Sequence, residues 1–115
     1  MALNRKYANA NEIALPVASG VVSGKAVAVG QIPGVALIDR DSDGEATLQF
    51  DGAFNLLVKG LGNSDANTAV AIGDIVYIQA NGDVSKNSAG VRFGYALGGV
   101  ASGNILTTIT VKIGY

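Results

Sequence analysis

The sequence predicts an all-β fold, in the form of a small single-domain β barrel or clip. Short runs rich in Val, Ile and Thr alternate with polar residues, as in strands that bury one face. Sixteen glycines and two prolines separate these runs and mark tight turns. A chain of 115 residues has the length of one domain. A repeated turn-and-strand segment adds the expectation of two pseudo-repeated halves.

The repeated segment is clearest at residues 73–78. Gly73 and Asp74 form a predicted turn, and the following strand places Val76 and Ile78 on one face. Asp74 is interpreted as a turn former and not as a catalytic residue, because Gly-Asp pairs favour turns.

An earlier copy of this segment begins at Gly24, with Val27 and Val29 in the places of Val76 and Ile78. Each copy is followed by a matching piece, Gly-Val-Ala-Leu from residue 34 and Gly-Tyr-Ala-Leu from residue 94. We therefore expect pseudo-repeats at about residues 12–60 and 66–115, within one β domain that covers 12–115.

Hydrophobic periodicity predicts the strands in chain order at residues 12–17, 26–29, 35–38, 45–50, 53–58, 75–78, 83–85, 95–97 and 105–113. Pro16 lacks an N–H group, which places the first strand at a sheet edge. Pro33-Gly34 and Asn81-Gly82 are predicted turns, and residues 66–72 could form one helical turn. In the last strand one face is expected to carry Ile105, Thr107, Ile109, Val111 and Ile113.

Residues 1–11 are polar, rich in Asn and Ala, and lack strand or helix periodicity. They are predicted to form an extended N-terminal arm. Two interpretations stay open: a frayed terminus, or an arm that reaches a neighbouring subunit or a docking surface.

Composition excludes several classes of function. A net charge of −1 with only 15% charged residues offers no basic surface for nucleic acid. Without His and Cys the chain has no Ser-His-Asp triad, no thiolate metal site and no disulfide, so neither an enzyme nor a cofactor is expected. No apolar run approaches the ~18 residues of a membrane span, and no signal peptide is predicted. A hydrophobic content of 49% suggests either a large core or contacts between subunits.

Asp39, Asp41 and Asp43, followed by Gly44, match the start of a calcium-binding EF-hand loop. Carboxylates at alternate positions can converge on a hard cation. However, the twelfth position is Phe50 where such loops need Glu, and the flanking residues predict strands. A solvated turn is the favoured interpretation, with calcium binding as the alternative.

Ser23-Gly24-Lys25 superficially matches a phosphate-binding loop, but the spacing from Gly20 is too short and no Ser or Thr follows Lys25. The tyrosines could stack on sugars or bases. Without a basic stripe beside them, they are expected instead in the core or at a subunit interface.

The order of these pieces resembles a known family, the capsid decoration (head-stabilising) proteins of tailed phages and prophages. The resemblance covers nearly the whole chain and follows a series of short motifs: Tyr7, Glu-Ile-Ala-Leu at 12–15, Ser-Gly-x-x-Val-x-Val-Gly at 23–30, Gly-Val-Ala at 34–36, Gly-x-Phe-x-Leu at 52–56, Gly-Asp-x-Val-Tyr at 73–77, Gly-x-Val-Ser at 82–85 and Gly-Tyr-Ala-Leu at 94–97. One departure is Lys25, where the family usually has Asp. Some members are labelled RecA/RadA-like recombinases, and the missing phosphate loop argues against that label here.

The resemblance implies a compact barrel of the β-clip or tulip-like kind, often a homotrimer, seated on the outer capsid surface and bound to the major capsid protein. It implies a virion location after synthesis in the host bacterial cytoplasm. Tyr77 and Tyr95 are the expected anchors between protomers. A carbohydrate- or host-surface-binding β module is the alternative function. The capsid-binding residues are expected in the arm: Ala2, Leu3, Asn4, Arg5, Lys6 and Tyr7.

Overall fold

Nine strands form two sheets in the computed structural model, which describes residues 12–113 apart from the side chain of Asn104. The all-β class and the barrel are confirmed. The strands are β1 (Glu12–Pro16), β2 (Ala26–Val29), β3 (Ile32–Ala36), β4 (Glu45–Gln49), β5 (Gly52–Gly60), β6 (Ile75–Ile78), β7 (Val84–Ser85), β8 (Val91–Ala96) and β9 (Gly103–Ile113).

The first four strands form an antiparallel sheet in the order β1-β4-β3-β2. β1 is an edge strand, as its proline predicts. The Val17 N–H donates to the Gly44 carbonyl at 3.0 Å. In an antiparallel pair every second residue bonds to the neighbouring strand, so Leu15 and Ile13 also bond to β4. The nitrogen of Pro16 therefore points away from the sheet, where no donor is needed.

The predicted turn at Pro33-Gly34 is wrong, because both residues lie inside β3. The reversal comes earlier, at Gly30-Gln31. The Pro33 nitrogen points toward the β4 side of β3. β3 pairs with β4 only at Val35 and Ala36, so no β4 residue lies opposite Pro33. The proline therefore interrupts no ladder.

The remaining strands close a barrel in the order β5-β7-β6-β8-β9. β5 runs antiparallel to β9 from the Gly52–Ile113 pair to the Gly60–Gly103 pair. A single parallel pair, Val58 with Val84, joins β5 to β7 and completes the circle.

The two copies of the repeated segment have the same cross-strand register. Val27 lies opposite Gly34 in the sheet, and Val76 lies opposite Gly94 in the barrel. Around these pairs the architecture differs, since one copy belongs to an open sheet and the other to the barrel. The proposed division at residues 60 and 66 stays a prediction; the two sheets themselves separate between Gln49 and Gly52.

No helical turn forms at residues 66–72. Asn67 and Val70 instead make isolated β bridges to Leu61 and Val100, which hold this segment extended. A short 3-10 turn precedes it at Asn63–Asp65. Within residues 12–113 no helix is long and apolar enough to cross a membrane.

Two hydrophobic clusters stabilise the fold. The larger, here the barrel cluster, fills the barrel and extends to Ala26 and Val35 of the sheet. The smaller, here the sheet cluster, lies on the opposite face of the sheet and contains Val21, Val27, Ala36, Ala46 and Leu48. Val21 reaches it because the β1–β2 connection crosses from one sheet edge to the other.

The prediction that one face of β9 is buried is confirmed only toward the C-terminal end of the strand. Ile109, Val111 and Ile113 are buried, but Thr107 is exposed and Ile105 is 74% exposed. The pairing shifts between Lys59 and Gly60, from Leu106 to Gly103, so Ile105 lies in a bulge and has no partner on β5.

This difference along one strand gives a matched test of the core. Ile113→Ala should destabilise the protein by about 2–5 kcal/mol, because Ile113 is 2% exposed and its removal leaves a cavity. Ile105→Ala, the same change on the same strand, should cost less than about 0.5 kcal/mol. Urea unfolding followed by circular dichroism measures both, and equal losses would contradict the placement of β9.

Asp74 closes the turn before β6, as the sequence predicts. Its Oδ2 accepts a hydrogen bond from the Ala71 N–H at 2.8 Å and lies 3.0 Å from the Lys86 Nζ. The Ala71 hydrogen bond, followed by the bond to Lys86, lowers the pKa of Asp74. These contacts stabilise the ionised form in the folded protein.

The lowered pKa predicts a pH-dependent effect of Asp74→Asn. The pKa of an Asp side chain in the unfolded chain is about 3.9. Because the pKa of Asp74 is lower than this in the folded protein, its carboxylate stabilises the fold at higher pH. This stabilisation is lost as the pH falls through the folded-state pKa and the carboxylate is protonated. The variant should therefore be less stable at pH 7, by up to about 1 kcal/mol because the pair is partly exposed. The difference should vanish below the ordinary Asp range.

Thermal melts across this pH range measure the effect. Asp51→Asn is the control, since the Asp51 carboxylate forms no hydrogen bond or ion pair within the described residues. A deficit for Asp74→Asn that persists unchanged at low pH would contradict the electrostatic explanation.

Candidate interaction surfaces

Tyr77 and Tyr95 lie on one outer face of the barrel, both half-buried. Tyr95 is opposite Ile75, which shares the outer face of β6 with Tyr77. Arg92 is the cross-strand partner of Tyr77, and its Nη2 donates to the Tyr95 hydroxyl at 2.6 Å. We call these four residues the tyrosine surface.

The guanidinium of Arg92 also packs on the Tyr95 ring, with its central carbon 5.5 Å from the ring centre. The cation attracts the electron-rich face of the ring and holds both side chains in place. The surface thus presents ordered aromatic side chains with polar tips, a combination suited to protein contacts. The sequence identified both tyrosines but not Arg92, which only the bulged β6–β8 register brings between them.

Large apolar side chains are exposed elsewhere on the molecule. Three of them, Val22, Leu57 and Leu106, line a groove of about 390 Å³ between the start of β2 and the β5–β9 pair. A sequence signal existed for Leu57, since Leu56, Leu57 and Val58 are consecutive and a strand must turn one of them outward. Among residues 12–113 the exposed large apolar side chains are Val22, Ile32, Ile38, Leu57, Ile72, Leu97, Ile105 and Leu106.

A second groove, of about 490 Å³, runs beside β2. One wall is the strand itself, from Ala26 to Ala28, and the other is formed by residues 78–82 and 89–91 of the barrel. Of the described residues that line it, Lys25 alone is charged. We call it the β2 groove. No motif in the sequence indicated it, because it forms between the two sheets.

The aspartate-rich loop is organised as a turn. Asp39 Oδ1 accepts the Ser23 N–H at 2.8 Å, and Asp41 Oδ1 accepts the N–H groups of Asp43 and Glu45 at 2.9 and 3.0 Å. Among the residues described by the structure, no three His, Cys, Asp or Glu side chains are grouped to hold a metal ion. Asp41 instead stabilises the backbone of the following turn, and Asp39 joins the loop to Ser23 in the β1–β2 connection.

A turn role predicts unequal effects of two neighbouring aspartates. Asp41→Ala should lower stability by about 1 kcal/mol, because two backbone N–H groups lose their acceptor. Asp43→Ala should be nearly neutral, since its carboxylate accepts no hydrogen bond within residues 12–113. Both losses are read from urea unfolding. Calorimetric titration of the wild type with millimolar Ca²⁺ should give no binding heat, and a saturable heat would contradict the turn interpretation.

The expected capsid-binding residues, Ala2, Leu3, Asn4, Arg5, Lys6 and Tyr7, lie outside the described residues. Their role stays a prediction. The first described strand, β1, begins directly after the arm.

These features define an all-β domain whose exposed groups suit adhesion to other proteins. Residues 7–113 match the family described as phage cement protein. The chain belongs to this family, and it is a structural virion protein that binds and stabilises the phage capsid. The family and function expected from the sequence are confirmed. Comparisons with curated proteins and with solved structures give no match.

Proposed function

We propose that this protein is a homotrimer that binds the major capsid protein on the outer surface of the phage head. It is made in the host bacterial cytoplasm and has no enzymatic activity. The observation that carries the proposal is the family match, which spans residues 7–113 and therefore nearly the whole chain. The ordered, apolar and aromatic outer surfaces agree with a purely adhesive role.

The N-terminal arm is the proposed capsid contact. Arg5 and Lys6 are adjacent cations in a chain whose net charge is −1. Eleven residues in extended form span at most about 40 Å, comparable with the largest dimensions of the folded domain, 48 × 33 × 22 Å. An arm of this length can reach a capsid subunit or an adjoining protomer while the barrel stays rigid.

Repetition makes weak contacts sufficient. A capsid presents the same site many times, and a trimer carries three arms. Once one arm binds, the others bind at a raised effective concentration, so the assembled contact exceeds any single one. Such binding requires stability and shape but no reactive group.

The tyrosine surface is the proposed anchor between protomers. Tyr77 and Tyr95 are half-buried in the isolated chain and Tyr95 is held by Arg92, so little side-chain entropy is lost when a second protein covers this surface. A carbohydrate-binding role is not proposed, because Arg92 already packs on the Tyr95 ring face that a sugar would stack on.

Removal of residues 2–11 should abolish co-sedimentation with purified capsids that lack their cement protein, or lower the apparent affinity at least tenfold. The double change Arg5→Gln and Lys6→Gln should weaken binding in the same direction and reduce its salt dependence. Lys86→Gln is the control, since it removes a cation that pairs with Asp74 in the barrel half instead of one in the arm. A truncated protein that coats capsids at the wild-type concentration would refute the role of the arm.

A further inference from the structure

Within residues 12–113 the first sheet is open, and its two outer strands leave hydrogen-bonding groups unpaired. In the order β1-β4-β3-β2, β1 pairs there only with β4 and β2 only with β3. Natural proteins usually protect such edges with inward charges, bulges or covering loops, because a free edge invites another strand.

The unpaired groups of β2 point into the β2 groove. The Ala36 N–H donates to the Lys25 carbonyl at 3.0 Å, and hydrogen-bonded pairs alternate along an antiparallel ladder. Val27 therefore bonds to Gly34, while the N–H and C=O groups of Ala26 and Ala28 point away from β3. They have no backbone partner within residues 12–113.

The opposite edge has the same alternation. Since Leu15 and Ile13 bond to β4, the N–H and C=O groups of Glu12 and Ala14 point outward, together with the carbonyl of Pro16. The two edges thus offer matching rows of alternating donors and acceptors.

We propose that β1 of one copy pairs with β2 of the next, antiparallel, so that the four-stranded sheets of neighbouring copies join into one. The strands have similar lengths, five and four residues. Glu12 is the only charged residue of β1, and Lys25 is the only charged one among the described residues that line the groove. With Ala14 opposite Ala28, Glu12 lies opposite Gly30 and Lys25 opposite Val17, so no like charges face each other.

The β2 groove can receive the backbone of an incoming strand. It has a volume of about 490 Å³ and lies beside the strand edge formed by the outward backbone groups of Ala26 and Ala28, whose small side chains pack toward the barrel cluster. The facing wall contains Ala80, Gly82, Ala89 and Gly90, which allow a backbone to approach closely. Addition of a strand to a sheet edge is a general mode of recognition in which backbone hydrogen bonds supply affinity.

The size of the contact favours a closed ring. Stable interfaces bury about 1,200–2,000 Å², more than one pair of strands of this length provides. Each copy, however, has one β1 edge and one β2 edge, so a head-to-tail ring gives every copy two contacts and leaves no edge open. The inference concerns contacts between copies and does not depend on capsid binding.

Proline substitutions test the edges without capsids. Ala14→Pro and Ala28→Pro each remove an outward N–H that contributes nothing to the ladder within the chain, as Pro16 already does. Light scattering should show an oligomer for the wild type and a monomer for either variant, with the wild-type circular dichroism spectrum. Ala69→Pro, at an exposed position whose N–H forms no hydrogen bond within residues 12–113, should leave the oligomer intact.

Disulfide trapping tests the pairing directly, because the chain contains no cysteine. Positions 14 and 28 are three strand spacings apart within one chain, about 14 Å, whereas a disulfide needs Cα atoms closer than about 7 Å. On oxidation, the double variant Ala14→Cys/Ala28→Cys should form covalent oligomers larger than dimers. If the register between copies is shifted by two residues, Ala14→Cys/Ala26→Cys should do so instead. Ala14→Cys/Ala69→Cys should not.

Three results would overturn the proposal. The wild type could be monomeric at every concentration accessible to light scattering. The oligomer could survive both Ala14→Pro and Ala28→Pro, which would leave the tyrosine surface to hold the copies together without the strand edges. Finally, Ala28→Cys could cross-link only to capsid protein, which would make a capsid segment the occupant of the groove.

Discussion

The pairing of β5 with β9 is the interaction on which the rest of the structure depends. It joins the middle of the chain to its C-terminal part along the full length of β5, and β8, β6 and β7 attach to this pair to close the barrel. Two glycines permit the tight packing around it. A Cβ at Gly94 would collide with the Lys112 carbonyl, and one at Gly60 with the Ala101 carbonyl. The barrel therefore requires glycine at both positions.

Local pattern was sufficient for most strands and for the class of protein. The edge position of β1 followed from Pro16, and the turn role of Asp74 followed from its place after Gly73. The absence of His and Cys directed the interpretation toward a structural protein, in agreement with the family. These features depend on residues near one another in the chain, where backbone preference and periodicity decide the outcome.

Features that depend on distant residues were not predictable. Pro33 lies in a strand because β4 ends before it, and Ile105 is exposed in the bulge where the β5–β9 register shifts. Arg92 joins the tyrosines through a register shift that no local pattern encodes. The free edges of β1 and β2 became visible only once the strand order was known. Secondary structure is local, whereas exposure and pairing are properties of the assembled sheet.

The division into two hydrophobic clusters has a consequence for local unfolding of the molecule. Within residues 12–113 the sheet cluster contains five buried residues and the barrel cluster fourteen. Regions with few buried apolar contacts open at lower free energy than the rest of a protein. The sheet is therefore the weaker unit, and its edges are the ones proposed to join copies. Assembly would stabilise the part of each protomer that is least stable alone, since association favours the folded form by mass action.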